Sequence, residues 1–170
     1  MNVTYKDYVQ FFETVAQAHI DILHVDEANC SFYTADIDEL LTGLRSTLNK
    51  NKFVLLLINY NRVLNADKSH QHITFFVVKY CQPKNFEEQR TAKDEAEEIA
   101  IDILGFIKEK SLNVTNATDR AMWGGSFDEA KNVDLIQTSL VAGPDRFYGV
   151  QVNIEIKVPL CLNRRLNKLP

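Results

Sequence analysis

Residues 85–110 read NFEEQRTAKDEAEEIAIDILGFIKEK and carry the strongest helical pattern in the chain. Asn85 is a favourable N-cap residue, and Glu88 follows it at the spacing of a capping box. Apolar residues recur at helical spacing along one side of the predicted helix, and most of the acidic residues lie on the other side. The apolar stripe consists of Ala92, Ala96, Ile99, Ala100, Ile103, Leu104, Phe106 and Ile107. This pattern predicts a long amphipathic helix whose alanine-rich end can approach a β-sheet closely.

The composition is that of an ordinary globular domain. The chain has 170 residues, of which 45% are hydrophobic and 25% are charged. This is enough for a sizeable core in one domain, which we assign to residues 1–162, followed by a basic C-terminal tail at 163–170. The formal net charge is −4. Because this charge opposes broad affinity for phosphate backbones, we expect no specific nucleic-acid partner.

The N-terminal sequence MNVTYKDYVQ lacks the basic segment and apolar run of a secretion signal, so we expect no secretion by that route. No apolar stretch approaches the roughly 20 residues of a membrane helix, and we therefore expect no membrane partner. The three cysteines, Cys30, Cys81 and Cys161, have no metal-like spacing. Their odd number and the missing signal predict reduced thiols.

Two more helices are predicted in the N-terminal third. Residues 4–23 have Thr4 as a cap and one broad apolar face, and residues 37–48 follow Asp36, which is a second favourable cap. Residues 29–34 lie between these helices and are predicted to form a short extended piece. The apolar face of the first helix consists of Tyr8, Phe11, Phe12, Val15, Ala18 and Ile22.

Two hairpins are predicted on either side of the long helix. Residues 53–64 and 72–81 carry apolar side chains on both faces and form the first hairpin. Its second face, which includes Phe76, is too hydrophobic for a sheet face in water. Either helices cover both faces or another subunit does so.

Residues 133–142 and 147–158 are predicted to form the second hairpin, joined by a Gly-Pro-Asp turn. The last strand alternates cleanly between an apolar and a polar face. Its polar face consists of Gln151, Asn153, Glu155 and Lys157. The predicted fold is therefore α+β, with an antiparallel four-stranded sheet of two hairpins, and with the long central helix and the N-terminal helices packed on it.

The sequence carries no recognised catalytic motif. Gly-rich phosphate loops, G-x-S-x-G and H-E-x-x-H are all missing. The helical carboxylates lack the Glu-x-x-His companions of a di-metal site, so we interpret them as a solvated face. His70 and His72 are interpreted as a surface pair, and Cys81 as a buried structural thiol. We predict no enzymatic activity, no catalytic or metal-binding residues and no cofactor.

A long irregular segment is predicted from Leu112 to Lys131. It contains Arg120 and Trp123, and Trp123 either anchors the segment to the core or contacts a partner. The candidate interaction residues are Trp123, Arg120, Gln151, Asn153, Glu155 and Lys157.

The element order is helix, short helix, hairpin, long helix, loop and final hairpin. With the doubly apolar first hairpin, the acidic helix and the closing strand GVQVNIEIKVP at 149–159, this order resembles the tail-terminator and head–tail joining proteins of tailed phages, and their relatives in phage-derived contractile systems. The resemblance implies a structural, non-catalytic protein that forms rings, commonly of six, and that meets other tail or neck proteins. It also implies a location in the virion or the host cytoplasm. The long N-terminal helix and the Trp123 segment depart from the family pattern.

Two other classes of function remain open. One is a small α+β ligand-binding or enzymatic domain with a pocket between helix and sheet. The other is an adaptor that binds one protein through residues 112–131. Self-association through the sheet and its exposed hairpin is predicted from the apolar second face around Phe76.

Overall fold

The computed structural model describes residues 4–25, 30–34, 49–64, 68–113, 122–123, 133–142 and 145–159. The elements in these ranges are α1 Tyr5–Ala18, β1 Phe32–Thr34, β2 Val54–Leu64, β3 Lys68–Tyr80, α2 Phe86–Leu112, β4 Val133–Ala142 and β5 Asp145–Pro159. The helix predicted at 37–48, Arg120 and the tail at 163–170 lie outside the described residues.

The five described strands form one mixed sheet in the order β1-β2-β3-β5-β4. Both predicted hairpins, β2–β3 and β4–β5, are confirmed, and an antiparallel β3–β5 pair joins them. The prediction of four antiparallel strands is corrected by β1, which pairs in parallel with β2 and places Phe32 opposite Leu55. Strand β1 lies within the extended piece predicted at residues 29–34. Its place in the sheet was not predicted, because parallel pairing joins residues remote in sequence and a strand of three residues has no measurable periodicity.

The long predicted helix is confirmed as α2, and its N-terminus is capped as expected. The side chain of Asn85 accepts a hydrogen bond from the Glu88 backbone N–H at 3.2 Å. The Glu88 carboxylate does not complete the reciprocal box, because it accepts instead from the Gln82 N–H at 3.1 Å and from Asn85 Nδ2 at 3.0 Å. This arrangement ties the helix start to the end of β3.

The main core lies between the helices and one side of the sheet, which we call the core face. Ile99 and Ile103 of α2 and Val152 of β5 are buried there, as predicted, with exposed fractions of 4%, 1% and 0%. Helix α1 packs on the same face through Tyr8 and Phe12. It ends at Ala18, earlier than predicted. The stripe of α2 is also narrower than predicted, since Phe106 is 37% exposed.

The opposite side of the sheet, the second face, is covered at one end within the chain itself. Its buried apolar cluster consists of Val54, Leu56, Phe76, Val78 and Phe147. Phe76 is only 3% exposed in the single chain. The sequence left open whether this face is covered within the chain or by another subunit. The buried cluster shows that this end of the face is covered within the chain. Because Phe76 is already buried, it no longer supplies a reason for self-association through this part of the sheet.

A β-bulge changes the two-residue alternation of β2 halfway along the strand. Leu57 pairs with Phe75, but Asn59 pairs with Thr74, so Ile58 is the additional residue. Beyond the bulge, Tyr60 turns to the core face and Asn61 to the second face. The bulge therefore marks the point at which the second face changes from apolar to polar.

Candidate interaction surface

Beyond the bulge, polar side chains from β3 and β5 stand side by side on the second face. The register places His70, His72 and Thr74 opposite Lys157, Glu155 and Asn153. We call this surface the polar face; it consists of His70, His72, Thr74, Gln151, Asn153, Glu155 and Lys157. All four β5 residues predicted as interaction candidates belong to it and are half-buried.

Hydrogen bonds across the strands hold part of the polar face in place. The side-chain oxygen of Asn153 accepts from the Thr74 hydroxyl and from the Gln151 amide, both at 3.0 Å. His70 Nδ1 donates to Glu155 Oε1 at 2.8 Å. This hydrogen bond is the main cause that lowers the pKa of Glu155 below its ordinary value. Glu155 therefore remains charged at neutral pH.

A shallow depression of about 390 Å³ lies within the polar face and extends toward β4. Its lining includes His72, Thr74, Asp134 and Glu155. These groups offer hydrogen-bond donors and acceptors and two carboxylates, which suits a polar contact with another macromolecule. Among the described residues, no three His, Cys, Asp or Glu side chains are grouped so that they could hold a metal ion.

Strand β4 forms one end of the sheet, and in the described part of the chain no strand pairs with its outer edge. Of the nine β4 residues whose exposure the structure describes, six are exposed. They lie on both sides of the sheet: Leu135 and Val141 on the side of the core face, and Ile136 on the side of the second face. Their exposed fractions are 37%, 43% and 48%. Strand β4 therefore offers both a backbone edge and apolar side chains.

A second groove, of about 420 Å³, lies between the carboxylate side of α2 and the ends of β2 and β3. The lysines that line it already have neighbours: Lys79 Nζ is 3.4 Å from Glu95 Oε2, and Lys52 Nζ donates to the Ile20 carbonyl at 3.4 Å. Glu95 and Glu98 are exposed, as expected for a solvated face. The groove thus presents carboxylates to water, with its cations engaged locally.

Trp123 lies in the core and not on the surface. It is fully buried, with its ring centroid 5.4 Å from that of Tyr8 and 4.8 Å from that of Phe11. The Tyr8 hydroxyl donates to the side-chain oxygen of Gln71, a buried polar residue that no sequence motif singles out. The only feature of the sequence that points to Gln71 is that a polar residue occupies a core-facing position of β3. Trp123 is therefore a core residue, and it offers no surface to a partner.

The Cys81 thiol is buried at the end of β3, as predicted. Burial, with smaller effects from Glu88 and Glu95, raises the pKa of this thiol to about 11. Because the thiolate is the nucleophile, a thiol with so high a pKa is inert at neutral pH.

No helix in the described part of the chain has the length and apolar character needed to cross a membrane. Comparison of the chain with protein-family models, with curated proteins and with solved structures gives no match.

Proposed function

We propose that this chain is a structural assembly protein that binds copies of itself and neighbouring proteins of a larger particle. The observation that carries the proposal is strand β4, with whose outer edge no strand of the described part of the chain pairs, and the exposed apolar side chains of Leu135, Ile136 and Val141 on it. Natural proteins commonly protect such edges because unpaired strand edges recruit other strands. An edge left open in this way is best explained as a binding element.

The specific form of this proposal is the one that the element order implies: a component related to the tail-terminator and head–tail joining proteins of phages, acting as a ring without catalysis. In this role the polar face would meet the next protein of the particle. Its Gln151, Asn153 and Glu155 side chains are aligned along one strand, and hydrogen bonds hold them in place. Such pre-ordered polar groups lose little conformational entropy on binding.

A ligand-binding or enzymatic role receives less support from the two depressions. The groove beside α2 is lined by carboxylates whose neighbouring lysines are already engaged, and the thiol of Cys81 is buried and protonated. The depression on the polar face is shallow and shared by three strands, which is typical of a contact surface rather than of an enclosing pocket.

The proposal is tested by measuring the mass of the purified protein over a wide range of concentrations, with negative-stain images of the same samples. We expect species larger than one chain, and ring-shaped particles if the specific form is right. A protein that remains a monomer at the highest concentration, without particles in the images, would refute self-assembly. Discrete oligomers without rings would refute only the ring.

A further inference from the structure

We propose that the β4 edge binds the β4 edge of a second copy, antiparallel and in one defined register, with Thr138 on the two-fold axis. This inference rests on the proposed function, in that it takes the chain to be self-assembling. It names a two-fold contact, which joins two copies and does not by itself generate a ring.

Symmetry limits the possible registers. Two identical antiparallel edge strands are related by an axis perpendicular to the sheet, so the core face of one copy continues into the core face of the other. Opposed residues must then lie on the same side of the sheet. The axis must therefore pass through a residue that faces its own counterpart. At the centre of β4 the choices are Gln137 and Thr138.

The register centred on Thr138 places apolar residues opposite apolar residues and polar residues opposite polar residues at the centre of the strand. Ile136 lies opposite Leu140 of the second copy, and Leu135 lies opposite Val141. Each of these pairs occurs twice because of the symmetry, and Gln137 faces Ser139 at the polar positions. All three exposed apolar side chains of β4 thus gain an apolar neighbour. Leu140 already packs against the buried cluster of the second face, so Ile136 would extend that cluster across the interface.

The register centred on Gln137 is much poorer. It places Ile136 opposite Thr138, Leu135 opposite Ser139, and the carboxylate of Asp134 opposite Leu140. Leu135 and Ile136 would then remain beside polar groups, and only Val141 would gain an apolar neighbour, Val133. The Asp134 carboxylate would lose water beside the large apolar Leu140, whereas in the register centred on Thr138 it faces Ala142 at the end of the strand.

The sequence of β4, VDLIQTSLVA, has little of the usual protection of an edge. It contains no lysine, arginine or proline, its one charged residue is Asp134 near the start of the strand, and its pairing with β5 runs without a bulge from Val133 to Ala142. Charges, prolines and bulges are the means by which edges avoid pairing. The shorter edge β1, with three residues, matches β4 poorly in length, which favours a pair of β4 strands over a β4–β1 contact.

The test has two parts, both in a Cys161→Ser background. The cysteines that remain, Cys30 and Cys81, are buried. First, cysteine is placed at position 138, 137 or 139, and the formation of covalent dimers is followed under mild oxidation. Opposed side chains have Cβ atoms about 4.5–5.5 Å apart, close to the spacing that a disulfide requires. We expect Thr138→Cys to form dimers at least tenfold faster than Gln137→Cys or Ser139→Cys alone. A mixture of the last two proteins should form the mixed dimer.

Second, Ile136→Lys is compared with Val63→Lys by sedimentation. Val63 is a matched control because it is 44% exposed and lies on the same side of the sheet, on β2 and away from the proposed contact. We expect Ile136→Lys to raise the dissociation constant of the dimer at least tenfold and Val63→Lys to leave it unchanged. Circular dichroism checks that both variants are folded.

The outcomes separate this inference from the function on which it rests. Oligomers that form without preferential linkage at position 138, and that respond equally to both lysine variants, would overturn the β4 pairing while self-assembly stands. A protein that is monomeric throughout would overturn both. In that case, the partner of the β4 edge would be a strand of a different protein.

Discussion

Replacing Gly149 with alanine tests a close backbone approach inside the sheet. Gly149 lies on β5, between Val78 of β3 and Thr138 of β4. A Cβ atom added there would overlap the Val77 carbonyl oxygen and lie 2.9 Å from both the Val77 carbonyl carbon and the Val78 Cα. These are backbone atoms of the neighbouring strand and cannot rotate away. The methyl group fits only if β3 and β5 separate.

The size of the effect follows from that geometry. Overpacking a core costs about 1–3 kcal/mol when side chains can adjust, and we expect about 3 kcal/mol here because backbone must move. The entropy that alanine removes from the unfolded chain offsets less than about 1 kcal/mol of this cost. For a chain of this length, about 3 kcal/mol corresponds to a fall of roughly 6–12 °C in Tm.

Gly105→Ala is the matched control, because it is the same substitution with the opposite expected sign. Gly105 lies within α2, and an added Cβ would meet no atom within 4 Å. Alanine is favoured over glycine in a helix interior by about 1 kcal/mol, so Tm should rise by roughly 2–4 °C. Thermal and urea unfolding followed by circular dichroism measures both variants. A Gly149→Ala protein as stable as the unmodified chain would show that the β3–β5 register is wrong.

Three further predictions address the core, the polar face and the buried thiol. Ile103→Ala should cost about 2–5 kcal/mol in urea unfolding, because this side chain is 1% exposed; a loss below about 0.5 kcal/mol would mean that the buried face of α2 is misassigned. The hydrogen bond from His70 lowers the pKa of Glu155 in the folded state, so the charged carboxylate stabilises the fold at pH values above its ordinary pKa of 4.5, and this contribution is lost as the pH falls through the lowered pKa. The stability difference between the unmodified chain and Glu155→Gln should therefore be constant near neutral pH and shrink on acidification; a difference that grows instead would contradict the assigned sign. In a Cys161→Ser protein, Cys81 should resist iodoacetamide at neutral pH while folded and react once unfolded, as mass spectrometry would show; alkylation of the folded protein at the rate of a free thiol would disprove its burial.

The parts of the fold that follow a regular period could be predicted from the sequence. Helix α2 shows the 3.6-residue period and a favourable cap, and β5 shows the two-residue period over its whole length. The alternation of β5 is by itself enough to assign Gln151, Asn153 and Glu155 to one surface. Local patterns sufficed here because each element has one face in the core.

The remaining features depend on contacts between residues far apart in sequence. The sequence shows that Trp123 is large and apolar but not that Tyr8 and Phe11 surround it. The alternation of β3 sets His70 on one side, yet only the β3–β5 register brings it to Glu155. The bulge at Ile58 is likewise invisible, because the apolar run before it has no alternation to interrupt.

Strand β4 shows how an irregular pattern can itself be informative. The sequence VDLIQTSLVA neither alternates like β5 nor is continuously apolar like the start of β2. Within one chain, this pattern assigns no face clearly to the core, and the exposure of Leu135, Ile136 and Val141 agrees with that. In a pair of copies centred on Thr138, the same residues fall into matched apolar and polar pairs. An edge strand selected for its own chain alone would need no such match, which is why the register at Thr138 is the sharpest point at which the assembly proposal can fail.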